Sequence, residues 1–272
     1  MHQLGFETIS INKEPNGNFP NHHPDPSKEK NLEELKMMVE EHGADLGFAF
    51  DGDGDRVGMI TDDGASVLAD HLIMLLTKNY LKKRAGPIIF DVKCSSQLPT
   101  LINQLGGEAI MAKTGHFNIK KAIKEHNAVL GGEMSGHIFI NHEWYGFDDA
   151  IFTAAILAQI ISDDALSSSE VINKFPKTFS TTELNLEVTD DEKFDMIEEF
   201  KSKMSFPNSE LNTIDGVRVT IGSAWGLVRA SNTSPKLVFR FEAETEEELQ
   251  GIRKLFLDNL EKIFPDLPLN FS

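Results

Sequence analysis

Pro87-Ile88-Ile89-Phe90-Asp91-Val92-Lys93-Cys94 is a short apolar run that ends in a polar turn. A run of this length, rich in β-branched residues, reads as a buried strand. Outward from it the pattern alternates. Helical spacing runs from about Asp70 to Lys83 before it. After it come a helical stretch near Leu98 to Leu105, a strand at Glu108 to Met111, a helix at His116 to Glu125 and a strand at Ala128 to Leu130. Strands separated by helices predict an α/β domain with a largely parallel sheet. A short strand at His137 to Ile140 and a longer helix at Asp148 to Ile161 extend it, and Phe175-Pro176 marks its end.

Both flanks differ from this centre. Upstream, Phe6 to Ile11 is strand-like, and the prolines of Asn16 to Pro26 forbid regular structure. Asn31 reads as the N-cap of a helix with Leu32, Leu35, Met38 and Val39 on one face, closed by Gly43. Strands Leu46 to Phe50 and Val57 to Thr61 then bracket an acidic loop, and a turn follows at Asp62-Asp63-Gly64. Downstream, a strand at Ser180 to Val188, a helix at Asp191 to Met204, a hairpin around Asp215-Gly216, a strand at Leu237 to Glu242 and a helix from Glu246 predict a separate α+β domain. Its antiparallel sheet would carry helices on one face.

At 272 residues the chain has room for two or three domains. No apolar run reaches the roughly 18 residues that span a bilayer, and the first residues lack the basic start and apolar centre of a signal peptide. A cytoplasmic protein without a membrane partner is expected. Cys94 is the single cysteine, so there is no disulfide framework, and a packed thiol at a strand end is expected in preference to a nucleophile. The net charge of −17 argues against nucleic acid, which needs a basic face. An anionic ligand would have to be held by local cations against that field.

In the acidic loop Asp51-Gly52-Asp53-Gly54-Asp55-Arg56, three carboxylates alternate with glycines that let the backbone curl. Three such charges repel unless a cation joins them, and hard oxygen donors suit Mg²⁺ or Ca²⁺. A solvated acidic turn is the plain alternative. A calcium-binding EF-hand loop fits badly: its sixth position is Arg56 and not glycine, its twelfth is Asp62 and not glutamate, and its flanks read as strands. Arg56 beside the carboxylates suits phosphoryl transfer, where guanidinium and cation together neutralise the moving group.

Other loops follow strands, where α/β sheets place ligands. Lys93 follows Asp91-Val92, and His116 opens a helix after Lys113-Thr114-Gly115; either could equally be a surface residue. Gly132-Glu133-Met134-Ser135-Gly136-His137 offers Glu133 and Ser135 to vicinal hydroxyls, with His137 beside them, or else is a simple hairpin turn. Arg229-Ala230-Ser231-Asn232-Thr233-Ser234-Pro235 combines a guanidinium, hydroxyls, an amide and turn N–H groups, as an anion clamp would. A neutral polar turn is its alternative. His22-His23 lies between prolines, and Trp144-Tyr145 reads as packing.

These loops, in this order, resemble the α-D-phosphohexomutases, most closely the bacterial phosphomannomutase/phosphoglucomutase group, over essentially the whole chain. The resemblance implies residues 1–65 as the C-terminal part of the family's second domain, 66–177 as a complete α/β third domain and 178–272 as the α+β C-terminal domain. It implies an isomerase that moves phosphate between the 1- and 6-positions of mannose or glucose through a hexose 1,6-bisphosphate. Mg²⁺ would be held by Asp51, Asp53 and Asp55. Arg56 and His116 would lie near the transferring group and Lys93 would contact the substrate. Glu133, Ser135 and His137 would bind the sugar, and Arg229, Ser231, Asn232 and Thr233 the phosphate that is not reacting.

One departure is severe. The family's phosphoserine lies in an N-terminal domain, in a loop resembling Thr-Ala-Ser-His-Asn-Pro, and no such sequence occurs here. Ser167, Ser168 and Ser169 sit in a polar helix start without a base, so they do not replace it. The expectation is therefore a truncated form with little turnover alone, or one half of a split enzyme whose partner chain carries the missing domain. A non-catalytic sugar-phosphate-binding module is the alternative.

Overall fold

Strand pairing carries the architecture. In the computed structural model, which describes residues 1–14, 16–269 and 271, the chain runs α1 (Glu33–His42), β1 (Leu46–Phe50), β2 (Val57–Thr61), β3 (Ser66–Val67), α2 (Ala69–Lys83), β4 (Pro87–Asp91), α3 (Gln97–Gln104), β5 (Glu108–Ala112), α4 (His116–His126), β6 (Leu130–Gly132), β7 (Ile138–Ile140), α5 (Ala150–Ser162) and α6 (Ser168–Ile172). It continues through β8 (Phe179–Ser180), β9 (Leu184–Glu187), α7 (Lys193–Lys203), β10 (Glu210–Asn212), β11 (Val217–Ile221), β12 (Ala224–Ala230), β13 (Lys236–Ala243) and α8 (Glu246–Ile263). Two compact units result, Met1–Met111 with His116–Phe175, and Ala112–Gly115 with Pro176–Ser272. Among the described residues no helix is long and apolar enough to cross a membrane.

In the first unit the apolar run at Pro87 forms β4, inside a sheet of order β5-β4-β6-β7. β4 and β6 are parallel, with Ile88 opposite Leu130, and β7 folds back antiparallel on β6. α2 packs against β6, α3 and α5, and α4 against β4 and β6. That makes α2 a helix buried nearly all round, with Leu72, Ile73, Met74, Leu75, Leu76 and Tyr80 in the core. A second sheet, β1-β2-β3, is an antiparallel meander whose register sets Phe50 opposite Val57, so the acidic loop is the connection of a hairpin. α1 lays Val39 on this sheet beside Leu32 and Ile60, while α5 packs against β1 and β2. Val57 and Met59 share one core with α2 and α5.

Two upstream expectations are corrected. Phe6 to Ile11 is not a strand, because no strand among the described residues pairs with it and its side chains stay largely exposed. Asn31 does not cap α1: its Nδ2 donates to the carbonyls of His23 and Asp25, pinning the proline-rich loop, and Leu32 occupies the cap position. Gly43 ends α1 as expected.

The second unit is an antiparallel sheet ordered β10-β11-β12-β13-β8, with β9 also on β13. The single strand expected from Ser180 to Val188 is thus two, both on β13. Between them Thr181 Oγ1, in place of a main-chain carbonyl, accepts from Phe241 N–H. α7 and α8 touch each other and cover one face of the sheet. α8 starts at a capping box in which Thr245 and Glu248 each accept the other's backbone N–H. Its Leu249, Ile252, Phe256 and Leu260 recur at helical spacing and enter the core with Phe200, Phe239 and Phe241.

Candidate functional site

The β1–β2 hairpin holds the acidic loop by its own hydrogen bonds. Asp51 N–H donates to the Arg56 carbonyl at 3.3 Å, and Asp51 Oδ1 accepts from the N–H groups of Gly54, Asp55 and Arg56 at 3.0 to 3.1 Å. Arg56 Nε reaches Asp51 Oδ2 at 2.7 Å, and its Nη1 pairs with Asp25 at 3.1 Å. Sequence reading missed Asp25, whose partner is distant in the chain.

Charge crowding follows from that geometry. Burial would raise the Asp51 carboxyl, but hydrogen bonding from Asp55 and Arg56, with the Arg56 charge, holds it down at about 2. Asp55 is pushed up to about 7 by burial and by the neighbouring Asp51, Asp53 and Asp148 carboxylates. One oxygen from each of Asp51, Asp53 and Asp55 falls within 4.8 Å of the others, and Asp55 Oδ1 is buried without a hydrogen-bond partner. A hard divalent cation fits this donor set, since it would satisfy the orphaned oxygen and relieve the repulsion that raises the Asp55 carboxyl.

The loop of Glu133, Ser135 and His137 is stitched to the acidic one. Val57 N–H donates to the Gly136 carbonyl at 3.2 Å, and Arg56 and His137 form a β-bridge. Glu133 is buried, its N–H donating to the His137 carbonyl, and the Met134 N–H donates to Asp91 Oδ1 at the end of β4. Lys93 is also buried there, 3.8 Å from Asp91 Oδ2. Ser135 is partly exposed.

His116, exposed at the start of α4, and His137 both direct Nδ1 to Asp148 Oδ2, at 3.2 Å each. Lys120 Nζ holds the other oxygen of Asp148 at 3.0 Å. Burial would raise the Asp148 carboxyl, yet Lys120 and His116 keep it below the usual range. Burial lowers the His137 imidazole. Asp148 and Lys120 were not singled out in the sequence. Asp148-Asp149 looked like a helix start, and Asp149 does cap α5 by accepting from Phe152 N–H.

In the second unit Arg229, near the end of β12, is 4% exposed. Its Nε donates to Asp215 Oδ2 at 2.9 Å, which also accepts Thr114 N–H at 3.0 Å, while one terminal nitrogen, Nη2, is buried with no hydrogen-bond partner. Ser231 is buried, and the Thr233 N–H donates to its Oγ at 3.4 Å. Asn232 Nδ2 lies 3.4 Å from the Thr114 carbonyl. Lys193, another residue the sequence did not mark, is buried beneath the loop with Nζ 3.1 Å from the Ser234 carbonyl. A buried guanidinium with an unused donor beside hydroxyls can take an anion.

The remaining candidates are structural. Ser167 caps α6, and Ser168 Oγ accepts the Asp62 N–H. Cys94 is buried. Trp144 stacks on Phe152 with ring centres 3.9 Å apart.

Comparison with known proteins finds three family models in chain order. Phosphoglucomutase/phosphomannomutase α/β/α domain II matches residues 1–64, α/β/α domain III residues 69–179 and the C-terminal domain residues 183–259. The chain is 52% identical over 98% of its length to a phosphomannomutase/phosphoglucomutase of Pseudomonas syringae, covering 58% of that protein. It is 44% identical over 93% of its length to a phosphoglucomutase of Neisseria gonorrhoeae, covering 55% of it. A crystal structure of a phosphoglucomutase/phosphomannomutase family protein from Burkholderia thailandensis superposes with a TM-score of 0.92 at 39% identity, over 98% of this chain and 57% of that one. The chain thus spans a little over half the length of these relatives.

Proposed function

The chain belongs to the phosphoglucomutase/phosphomannomutase family, and from that premise we propose that it supplies the metal-, sugar- and phosphate-handling parts of a hexose phosphate mutase. The reaction is phosphate transfer between the 1- and 6-positions of glucose or mannose through a hexose 1,6-bisphosphate, in the cytoplasm. The observation that carries this reading is the stitching of the acidic hairpin loop to the Glu133–His137 loop. It sets the carboxylates and Arg56, which would stabilise a phosphoryl group, beside Glu133, Ser135 and His137, which would bind hydroxyls, on rigid strand ends.

Asp51, Asp53 and Asp55 would hold Mg²⁺. Bound there, the ion would neutralise charge on the transferring phosphoryl oxygens. Arg56, fixed by Asp51 and Asp25, presents its guanidinium to the same oxygens. His116, hydrogen-bonded to Asp148, accepts or returns the proton of the attacking or leaving hydroxyl. Lys93 contacts the substrate, and Glu133, Ser135 and His137 hold the sugar hydroxyls. Arg229, Ser231, Asn232 and Thr233 take the phosphate that is not reacting. The phosphoserine carrier would come from a segment outside these 272 residues, on the same or a separate chain, because Ser167 is spent on capping α6 and the Ser168 hydroxyl is buried and hydrogen-bonded to Asp62 and the Asp45 carbonyl.

Calorimetry with glucose 6-phosphate and mannose 6-phosphate in Mg²⁺ tests the reading. Binding is expected, with Arg229→Lys losing about 1.5–3 kcal/mol, the worth of hydrogen bonds to a charged group, although the charge is kept. Absence of binding, or affinity indifferent to Arg229→Lys, would overturn it. Mutase turnover should appear only when a phosphoserine-bearing segment is added; full turnover by the chain alone would contradict the external carrier.

A further inference from the structure

Beside the carboxylate triad lies a constellation with different donor chemistry. His116 Nδ1 and His137 Nδ1 are each 3.2 Å from Asp148 Oδ2, and His137 Nδ1 is 3.7 Å from Asp55 Oδ2. One ligand atom from each of these four side chains falls within 4.8 Å of the others. Bonds of about 2.0–2.1 Å to nitrogen and oxygen in a tetrahedral zinc site separate neighbouring donors by roughly 3.3 Å, a spacing this group already approaches. His137 Nδ1 is a buried atom without a hydrogen-bond partner. Lys120 anchors Asp148 through Oδ1 and leaves Oδ2 to the two imidazoles.

We propose that Asp55, His116, His137 and Asp148 form a second cation site, for a divalent transition ion of the Zn²⁺ class, that shares Asp55 with the triad. Two imidazoles and two carboxylates suit Zn²⁺ or Co²⁺, whereas Mg²⁺ prefers an octahedron of oxygens and retains water. Each histidine binds through Nδ1 with its proton on Nε2. Asp51 and Asp53 take no part, so the two sites can be separated by mutation. The site rests on geometry within one unit, whatever the chain acts on. Where the chain works in a mutase, an ion here occupies His116 and His137 and inhibits.

The test titrates the whole chain with Co²⁺ in excess Mg²⁺ and follows visible absorption, with Zn²⁺ as competitor. The expected result is the intense band of four-coordinate Co²⁺, displaced by Zn²⁺ and kept in Asp53→Asn. His116→Gln and His137→Gln should each weaken Co²⁺ binding by about tenfold or more, as disruption of a metal's ligand sphere does. His116 is exposed at a helix start, so its variant reports on the site even if His137→Gln unfolds, which circular dichroism reveals. A band absent in excess Mg²⁺, unchanged in His116→Gln, or lost in Asp53→Asn would overturn the proposal.

Discussion

Asp55 is held at odds with its own charge. Burial and the carboxylates of Asp51, Asp53 and Asp148 favour its protonated form, so its carboxyl titrates near 7 in the ion-free chain. A cation binds the deprotonated form, and protons therefore compete with it: the apparent affinity for Mg²⁺ should rise as pH climbs through 7. Between pH 6 and pH 8 the gain for one such group is about tenfold. Calorimetric titration at both values checks this, and Asp55→Asn should abolish the pH dependence together with most of the binding. The metal-loop carboxylates and Arg229 were visible in the sequence because they lie within short stretches whose composition makes little sense as plain turns. Asp25, Asp148 and Asp215 were not. Each acts on a residue far along the chain, Arg56, His116 and Thr114 respectively, and a lone aspartate beside a turn or helix start carries no trace of such a partner.

Elements connect these residues to stability. Gly216 closes the β10–β11 hairpin at φ 77, and an added Cβ would sit 2.2 Å from the Val228 carbonyl and 2.7 Å from Arg229 Cα. Gly222, in the next turn, has φ 61 but open space around it. Gly222→Ala should cost ~1–2 kcal/mol from its backbone conformation alone. Gly216→Ala should cost more and, by pushing β12 at Arg229, also weaken the hexose phosphate binding proposed for that loop; urea melts and calorimetry on both variants separate the two effects. Asp62 plays a comparable role for α6, accepting the Ser169 N–H at 2.7 Å beside the Ser168 hydroxyl. Burial would raise its carboxyl, but these hydrogen bonds hold it below the ordinary value. A depressed folded pKa gives stability that is present above the unfolded value near 4 and lost as pH falls below it. Urea midpoints should thus fall more between pH 7 and pH 3 in the wild type than in Asp62→Asn. The long elements were legible because their apolar period is set locally, as in α8. Phe6 to Ile11 misled because a strand exists only where a neighbour completes its ladder, and Asn31 because a polar side chain can serve a distant carbonyl as readily as a helix end.

At the scale of the whole molecule, the two units differ in how their cores are built. The core of the second unit draws every member from residues between Leu184 and Phe271, joining α7 and α8 to their own sheet. In the first, β2 gives Val57 and Met59 to a core made mostly by α2, β4, β6 and α5, so the stretch that matches domain II shares its apolar interior with the stretch that matches domain III. A piece with its own core can fold alone, and a piece that shares one cannot. Residues 176–272 expressed separately should therefore unfold in a single cooperative transition and keep the near-ultraviolet signal of buried Trp225. Residues 1–64 alone should show no cooperative transition, because Val57 and Met59 would face water, and with that loss the acidic hairpin should bind Mg²⁺ far more weakly than in the intact chain. A cooperative melt of residues 1–64, or a non-cooperative one of residues 176–272, would refute this division. The comparison also bears on metal binding: if it requires residues 65–175, the carboxylates act as a site because the Glu133–His137 loop holds their hairpin, and sequence proximity alone does not make one.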